Sequence, residues 1–451
     1  MSFCHFVIVI SNIPSLIAVA LWCFNWLYVL NNVYFYHLIT LFSVFLCNFA
    51  NKKIRIKGMP LVLEQNKLDV VHKQRSNFFN WKGQFTPEFV EYLLDSYATE
   101  NSIIADPFSG SGTVLSESIR KDMSCIGYEV NPSAYFMSKF YEYAMYTVEE
   151  RHRLFDEFRA TVGVYVQKMP KNLMVYVDNP DYRVSYQNLR DFATYIANNL
   201  DSKLLPLMIN VLFLCEKDKK MGLKDSLIRN IVYMRDLFFS LPHTSKSVIA
   251  NLGDARSLGV SYKNLVDLVI TSPPYINVFN YHQNYRGIIE CFGYDILKVA
   301  ASEFGSNRKN RQNRFKTVVQ YAMDMGHTLL NTSMALKTGG RMIFVVGRES
   351  MVRKTPFYNS CIIEDAVAAI PSIQIESINE RKFSNRYGEC IFEDIITIVK
   401  NQNDNDVDLK VFADIGMKHI ENALSYASSE LEGDLLSILS KRDTISESPI
   451  Y

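Results

Sequence analysis

The first 51 of the chain's 451 residues contain no Asp, Glu, Lys or Arg. A globular surface needs charge, and the apolar runs 14–30 and 33–50 each approach the roughly 20 residues that cross a bilayer. The stretch has no basic n-region, which excludes an ordinary secretory signal. If it is a membrane anchor, the cluster Lys52-Lys53-Ile54-Arg55-Ile56-Lys57 holds the remainder on the cytoplasmic side. The second reading is that translation starts at Met59, where Met59-Pro60-Leu61-Val62-Leu63-Glu64 opens an ordinary soluble sequence. Either way a cytoplasmic catalytic region is expected to follow residue 58.

Other absences narrow the function. There is no strong excess of basic charge: Lys plus Arg is 48 and Asp plus Glu is 47. Beyond residue 58 the balance is slightly acidic, so long-range attraction of a polyanion is excluded and any such site is a local patch. The eight cysteines form no C-x-x-C pair and no Cys/His cluster of metal-ligand spacing, which points to reduced thiols in a reducing compartment rather than a disulfide framework or a zinc site. No second metal-type side chain lies at helical spacing from His282, which, like the other seven histidines, reads as a surface or stacking residue rather than a ligand. There is no internal repeat and no low-complexity tract. With 48% hydrophobic and 21% charged residues, disorder is excluded too.

What is present alternates between two periods. Thr86-Pro87-Glu88 predicts a helix over 89–97, with Thr as N-cap and Pro at the first turn. A short apolar run, 102–106, predicts a strand, followed by a glycine loop and a helix over 114–120. The next strand is 124–129. From 134 to about 242 the spacing is helical, with helices predicted over 154–166, 189–200, 204–214 and 227–241. Strands return at 247–252 and 265–271. A helix over 317–336 stops at Lys337-Thr338-Gly339-Gly340, and strands follow at 341–346, 373–378 and 391–399. This predicts an α/β fold: a doubly wound, mostly parallel, seven-stranded sheet interrupted by a helical insertion. The expected divisions are 1–58, the apolar segment; 59–135 with 246–400, the catalytic domain; 136–245, the insertion and a candidate target-recognition region; and 401–451, a helical tail.

Chemistry is expected at the strand ends. In Asp106-Pro107-Phe108-Ser109-Gly110-Ser111-Gly112-Thr113 the glycines let backbone approach a ligand, and the following helix start offers unpaired amides. Glu129, one βα unit later, sits where a carboxylate grips a ribose in nucleotide-binding sheets. At Thr271-Ser272-Pro273-Pro274-Tyr275 two successive prolines remove two backbone donors and leave carbonyls that can only accept. An acceptor-rich wall of this kind suits an exocyclic amino group, with the Tyr275 ring available for stacking.

These segments, in this order, resemble the S-adenosylmethionine-dependent amino-methyltransferases of DNA bases, over about residues 78–135 and 246–400. The resemblance implies a Rossmann-like class I methyltransferase fold. It implies that Asp106, Phe108, Gly110, Gly112 and Thr113 cradle the methionine part of S-adenosyl-L-methionine, and that Glu129 with the neighbouring Asn131 binds the ribose side. Asp254 of Gly253-Asp254-Ala255-Arg256 would accept from the adenine amine, and Ser272, Pro273, Pro274 and Tyr275 would hold the target base. Ser at the first position of the tetrapeptide points to cytosine N4, where Asp or Asn is usual for adenine N6. Transfer would be direct, and the lack of any Pro-Cys dipeptide argues against a cytosine-C5 enzyme, which needs a nucleophilic thiol. DNA is the implied partner, with a cognate restriction endonuclease as a further one and a membrane only if residues 1–50 are translated. The tracts Tyr281-His282-Gln283-Asn284-Tyr285-Arg286, Arg308-Lys309-Asn310-Arg311-Gln312-Asn313-Arg314-Phe315-Lys316 and Arg381-Lys382-Phe383-Ser384-Asn385-Arg386-Tyr387-Gly388 mix cations, amides and aromatics as DNA contacts require. The last is expected in a loop between the final two strands. Rival readings are an adenine-N6 enzyme, an RNA guanine-N2 methyltransferase, and a membrane-tethered nucleotide-binding protein without turnover.

Overall fold

The computed structural model describes residues 62–168, 182–218, 222–276, 280–306, 310, 312–384, 388–404 and 406–451. The apolar stretch 1–58 lies outside them, as do Arg308, Lys309, Arg311, Asn385, Arg386 and Tyr387. Among the described residues no helix is long and apolar enough to cross a membrane.

Short apolar runs become the strands β1 (Ile103–Asp106), β2 (Ser124–Glu129), β3 (Val248–Leu252) and β4 (Val266–Thr271), all parallel. Their hydrophobicity is continuous rather than alternating because both faces are covered: Ile104, Ala105, Leu268, Val269 and Ile270 are buried. Strand β5 (Leu336–Gly347) adds in parallel to β4. After a hairpin, β6 (Glu349–Val352) and β7 (Thr355–Tyr358), the antiparallel pair β8 (Ile373–Ser384) and β9 (Cys390–Lys400) completes the sheet in the order β3-β2-β1-β4-β5-β9-β8. The expected seven-stranded, mostly parallel sheet is what forms. Chain progression runs one way from β1 to β3 and the other way from β4 to β5. The loops leaving β1 and β4 therefore diverge and open a crevice at the carboxyl edge, the place where doubly wound sheets bind ligands.

The helices cover this sheet for reasons legible in their apolar stripes. In α1 (Pro87–Tyr97), Phe89, Val90, Leu93 and Leu94 are all fully buried, each contributing about 1.5–3 kcal/mol relative to exposure. Pro87 opens it as expected, but the Thr86 side chain makes no capping bond and its buried hydroxyl has no partner among the described residues. Helix α2 (Thr113–Arg120) follows β1, and α3 (Pro132–Lys139) follows β2, capped by the Asn131 side chain accepting from Ser133 N at 2.9 Å. Next come α4 (Val148–Lys168), α5 (Tyr182–Ala197), α6 (Leu205–Lys217) and α7 (Leu223–Ser240), with α6 packed on both α3 and α7. Helix α8 (Lys316–Ala335) precedes β5, α9 (Asn359–Ala368) precedes β8, and α10 (Lys410–Ala423) packs across α8.

Three expectations need correction. Lys337-Thr338-Gly339-Gly340 does not precede β5 but bulges out within it: Leu336 already pairs with Val266, Gly339 turns at φ +85°, and continuous pairing with β4 starts at Arg341, where the strand was expected. The last two strands are long, so Arg381 to Ser384 lie in β8 rather than in a loop. Arg381 is buried, its guanidinium 4.1 Å from the Phe89 ring centre, which takes it away from any DNA surface. The hairpin β6–β7 was not anticipated, because four-residue strands carry too little periodicity to register, and neither was helix α9.

Candidate active site

A single hydrogen bond joins the two loops singled out in the sequence. Asp106, the last residue of β1, is 3% exposed, and its Oδ1 accepts from Phe108 N at 3.0 Å and from Thr271 Oγ1 at 2.6 Å. Thr271 is the last residue of β4, so the bond fastens the glycine loop to the start of Ser272-Pro273-Pro274-Tyr275 across the switch point. Burial pushes the Asp106 carboxyl up from 3.8 to about 7. Both loops line one cleft of about 910 Å³, counting the part open to solvent.

The glycine loop turns through two left-handed positions, Gly110 at φ +52° and Gly112 at φ +86°. At Gly112 a Cβ would lie 2.8 Å from the Tyr141 ring, so only glycine fits both the dihedral and the packing. Helix α2 starts at the next residue. The Thr113 hydroxyl donates to Asn77 Oδ1 at 3.1 Å, and Ser111 Oγ donates to Gln84 Oε1 at 2.6 Å, which clamps the loop to the segment before α1.

At the end of β2, Glu129 accepts from Gly110 N at 2.9 Å on one oxygen and from Asn131 N at 2.7 Å on the other. Each oxygen keeps a second lone pair for a hydroxyl donor. Burial raises this carboxyl from 4.5 to about 7 against those two bonds. Beside it Asn131 is 2% exposed and its Nδ2 has no partner among the described residues. A buried amide donor left unpaired costs stability. A ligand acceptor in the cleft would satisfy it, and the spare carboxylate lone pairs beside it match a vicinal diol.

The structure brings Asp106, Phe108, Gly110, Thr113, Glu129, Asn131, Asp254, Ser272 and Pro274 to this cleft. Gly112 supports the loop from behind. Asp254 lines the cleft, but both its oxygens are engaged by the Arg256 fork at 2.8 and 2.7 Å. Pro273 is buried. Tyr275 does not face the cleft: its hydroxyl donates to Glu393 Oε1 at 2.9 Å, and its ring lies against Gly347, where a Cβ would sit 2.7 Å from it.

Further lining residues escaped the sequence reading. Trp81, Lys82, Gln84 and Phe85 come from an irregular segment, Ser302 ends a short helix, Ile296–Ser302, and Glu303 and Phe304 follow it. Trp81 stacks on Tyr281 with centroids 6.1 Å apart, forming one wall. Phe108 meets Phe304 edge to face at 5.6 Å, and Arg256 lies 5.0 Å from the Phe304 ring centre. His282, expected as a surface or stacking residue, is buried: Glu303 accepts from its backbone N–H at 2.5 Å and contacts its Nδ1 at 2.7 Å. Within the basic tract, Phe315 joins the core and Asn313 is tied to Asp434 O, so this part of it does not form a free DNA-facing loop.

Residues 25–140 match the family model of the N6/N4 methyltransferases, described as DNA methylase. Over 75 residues the chain is 33% identical to the type II methyltransferase M.MjaII of Methanocaldococcus jannaschii, a match covering 17% of this chain and 13% of that protein. Among solved structures it is similar to a SAM-dependent methyltransferase of Methanosarcina mazei (11% identity, TM-score 0.30, covering 69% of this chain and 98% of that one). It is also similar to an antibiotic-related methyltransferase (9% identity, TM-score 0.25, covering 70% and 96%). These superpositions are loose, and the fold assignment rests on the strand order of the sheet itself. The matched segment takes in the whole glycine loop and Glu129, and over it the chain is similar to the N6/N4 amino-methyltransferases.

Proposed function

We propose that the protein is an S-adenosyl-L-methionine-dependent DNA methyltransferase that modifies the exocyclic amine of an extruded base, cytosine N4. The observation that carries this reading is the convergence of the glycine loop and the Ser-Pro-Pro loop on one cleft, fastened by Asp106 and Thr271. The unpaired Asn131 amide and the spare lone pairs of Glu129 fit a bound nucleoside. Residues 106–113 would hold its methionine part. When bound, the cofactor supplies an electrophilic methyl group.

The chain's own task is to present the target amine. Its nitrogen is conjugated with the ring and is a poor nucleophile, so hydrogen bonds from its two N–H groups must localise the lone pair. Glu393, as a carboxylate, can only accept; Tyr275 therefore donates to it, and the Tyr275 oxygen is left to accept from Ser272 Oγ at 3.4 Å. That polarity turns the Ser272 lone pairs toward the cleft, where they accept from the amine together with a proline carbonyl. Positioning and electrostatics do the work, and no covalent enzyme intermediate is needed. The base must leave the duplex to reach this depth. We place the activity in the cytoplasm, with host DNA as substrate and a restriction endonuclease of the same specificity as the expected counterpart.

Incubation with methyl-labelled S-adenosylmethionine and mixed-sequence DNA, followed by nucleoside mass spectrometry, tests this. N4-methylcytosine is expected. N6-methyladenine would keep the enzyme and overturn the base assignment; label in RNA alone would overturn the DNA reading.

A further inference from the structure

Beside the cleft lies a groove that the reaction does not use. Two depressions of about 1170 and 850 Å³, counting space open to solvent, share Asn80, Lys217 and Tyr285, and run into the cleft through Trp81, Lys82, Gln84 and Phe85. Its main walls are the segment before α1, the second half of α6 in the helical region, and the residues just after Tyr281, with Met137 of α3 and Tyr233 of α7 adding to the lining.

Its chemistry is that of a nucleic-acid surface. Lys73 and Lys217 lie exposed along it, and Glu216 is the one acid in the lining of these two depressions. Lys217 Nζ sits 5.3 Å from the Tyr285 ring centre, and that ring stacks on Phe213 with centroids 4.3 Å apart. Tyr285 is held at φ +55°, a conformation that costs a tyrosine energy and persists because its surroundings fix it. The neighbouring carbonyl of Asn284 is pinned by Ser133 Oγ at 2.9 Å. Asn210, in the groove wall, is 1% exposed, and its Nδ2 donates to Phe136 O and Pro206 O at 2.9 and 2.8 Å. Those two carbonyls fix the amide orientation, so its Oδ1 is a buried acceptor with no partner among the described residues. An unpaired acceptor matches the amino and imino donors of bases.

We propose that this groove holds the DNA beside the extruded base, with Lys73 and Lys217 on backbone phosphates and the Phe213–Tyr285 wall and Asn210 facing bases. The assignment rests on the DNA-methyltransferase reading and adds which surface engages the substrate. Cations position a nucleic acid through its phosphates, while aromatics and amides meet its bases. The groove meets the cleft at Gln84 and Phe85, so a strand lying in it delivers its neighbour to Ser272.

The full-length protein, the doubly substituted Lys73→Ala/Lys217→Ala variant and the Lys73→Arg/Lys217→Arg variant would be titrated with mixed-sequence duplex DNA at several salt concentrations, alongside S-adenosylmethionine binding by calorimetry. Removing two phosphate contacts should make the log–log salt slope less steep by roughly 1.8, at about 0.9 per charge. Cofactor affinity should stay unchanged and the arginine variant should restore the slope. An unaltered slope, absence of DNA binding by the wild type, or a loss seen with RNA only would overturn the groove assignment. Failure of the wild type to bind S-adenosylmethionine would instead overturn the function on which it rests.

Discussion

Replacing Asp106 by Asn removes a titration without removing the bond that joins the two loops. The asparagine carbonyl can accept from both Phe108 N and Thr271 Oγ1, as the carboxylate does. The carboxyl titrates at about 7 in the folded chain against an ordinary 3.8. Between those values the unfolded chain is ionised while the folded one keeps its proton. Folding stability therefore falls as pH rises through this window and levels off above about 7. At 1.36 kcal/mol per pH unit, the shift amounts to about 4 kcal/mol of stability present near pH 4 and absent near pH 8. Asp106→Asn lacks this loss, so its stability relative to wild type should climb by up to about 4 kcal/mol across the same range. Glu129, raised in the same direction and partly by the Asp106 charge, would sharpen the contrast. Urea denaturation of both proteins at half-unit steps from pH 4.5 to 8, without cofactor, measures it. Parallel stability curves would refute the premise that Asp106 is a buried, proton-holding carboxyl.

Four other substitutions probe separate features. Gly112→Ala places a side chain at φ +86° and 2.8 Å from Tyr141; it should lower stability by about 2 kcal/mol or more, from roughly 1–2 for the left-handed dihedral plus the collision. Gly433→Ala, which meets nothing within 4 Å, should cost nothing in the same denaturation assay. Arg256→Ala leaves the buried Asp254 and Asp324 without their cation and frees the carbonyl of Ser448, so a loss of about 3–5 kcal/mol is expected from the midpoint of chemical unfolding. Glu393→Gln gives Tyr275 an amide that can donate, which reverses the polarity passed to Ser272. Turnover should drop about tenfold, roughly 1.4 kcal/mol, with KM for S-adenosylmethionine unchanged; a change in KM alone would contradict the relay.

The local chemistry of this protein was written in the order of its residues. Strand β2 was bounded correctly at both ends, and β1, β3 and β4 to within a residue, because each is an apolar run closed by a polar or glycine-bearing turn. The glycine loop declared itself through dihedrals that only glycine tolerates, and the double proline through the donors it removes. What the chain could not declare were contacts between distant segments. Tyr275 was expected to stack on a base, yet its hydroxyl goes to Glu393, 118 residues away. Arg381 read as a DNA-contacting cation in a loop and lies on Phe89, and Asp254, read as an acceptor for an adenine amine, is also oriented by Arg256. Trp81, Tyr281 and Phe304 meet in one cleft from three separate stretches too short or irregular to carry a periodicity that marks them. Local sequence fixes backbone dihedrals and hydrogen-bonding capacity, which act over a few residues. Which donor finds which acceptor, and which cation keeps access to water, is settled only when the sheet order sets the loops side by side.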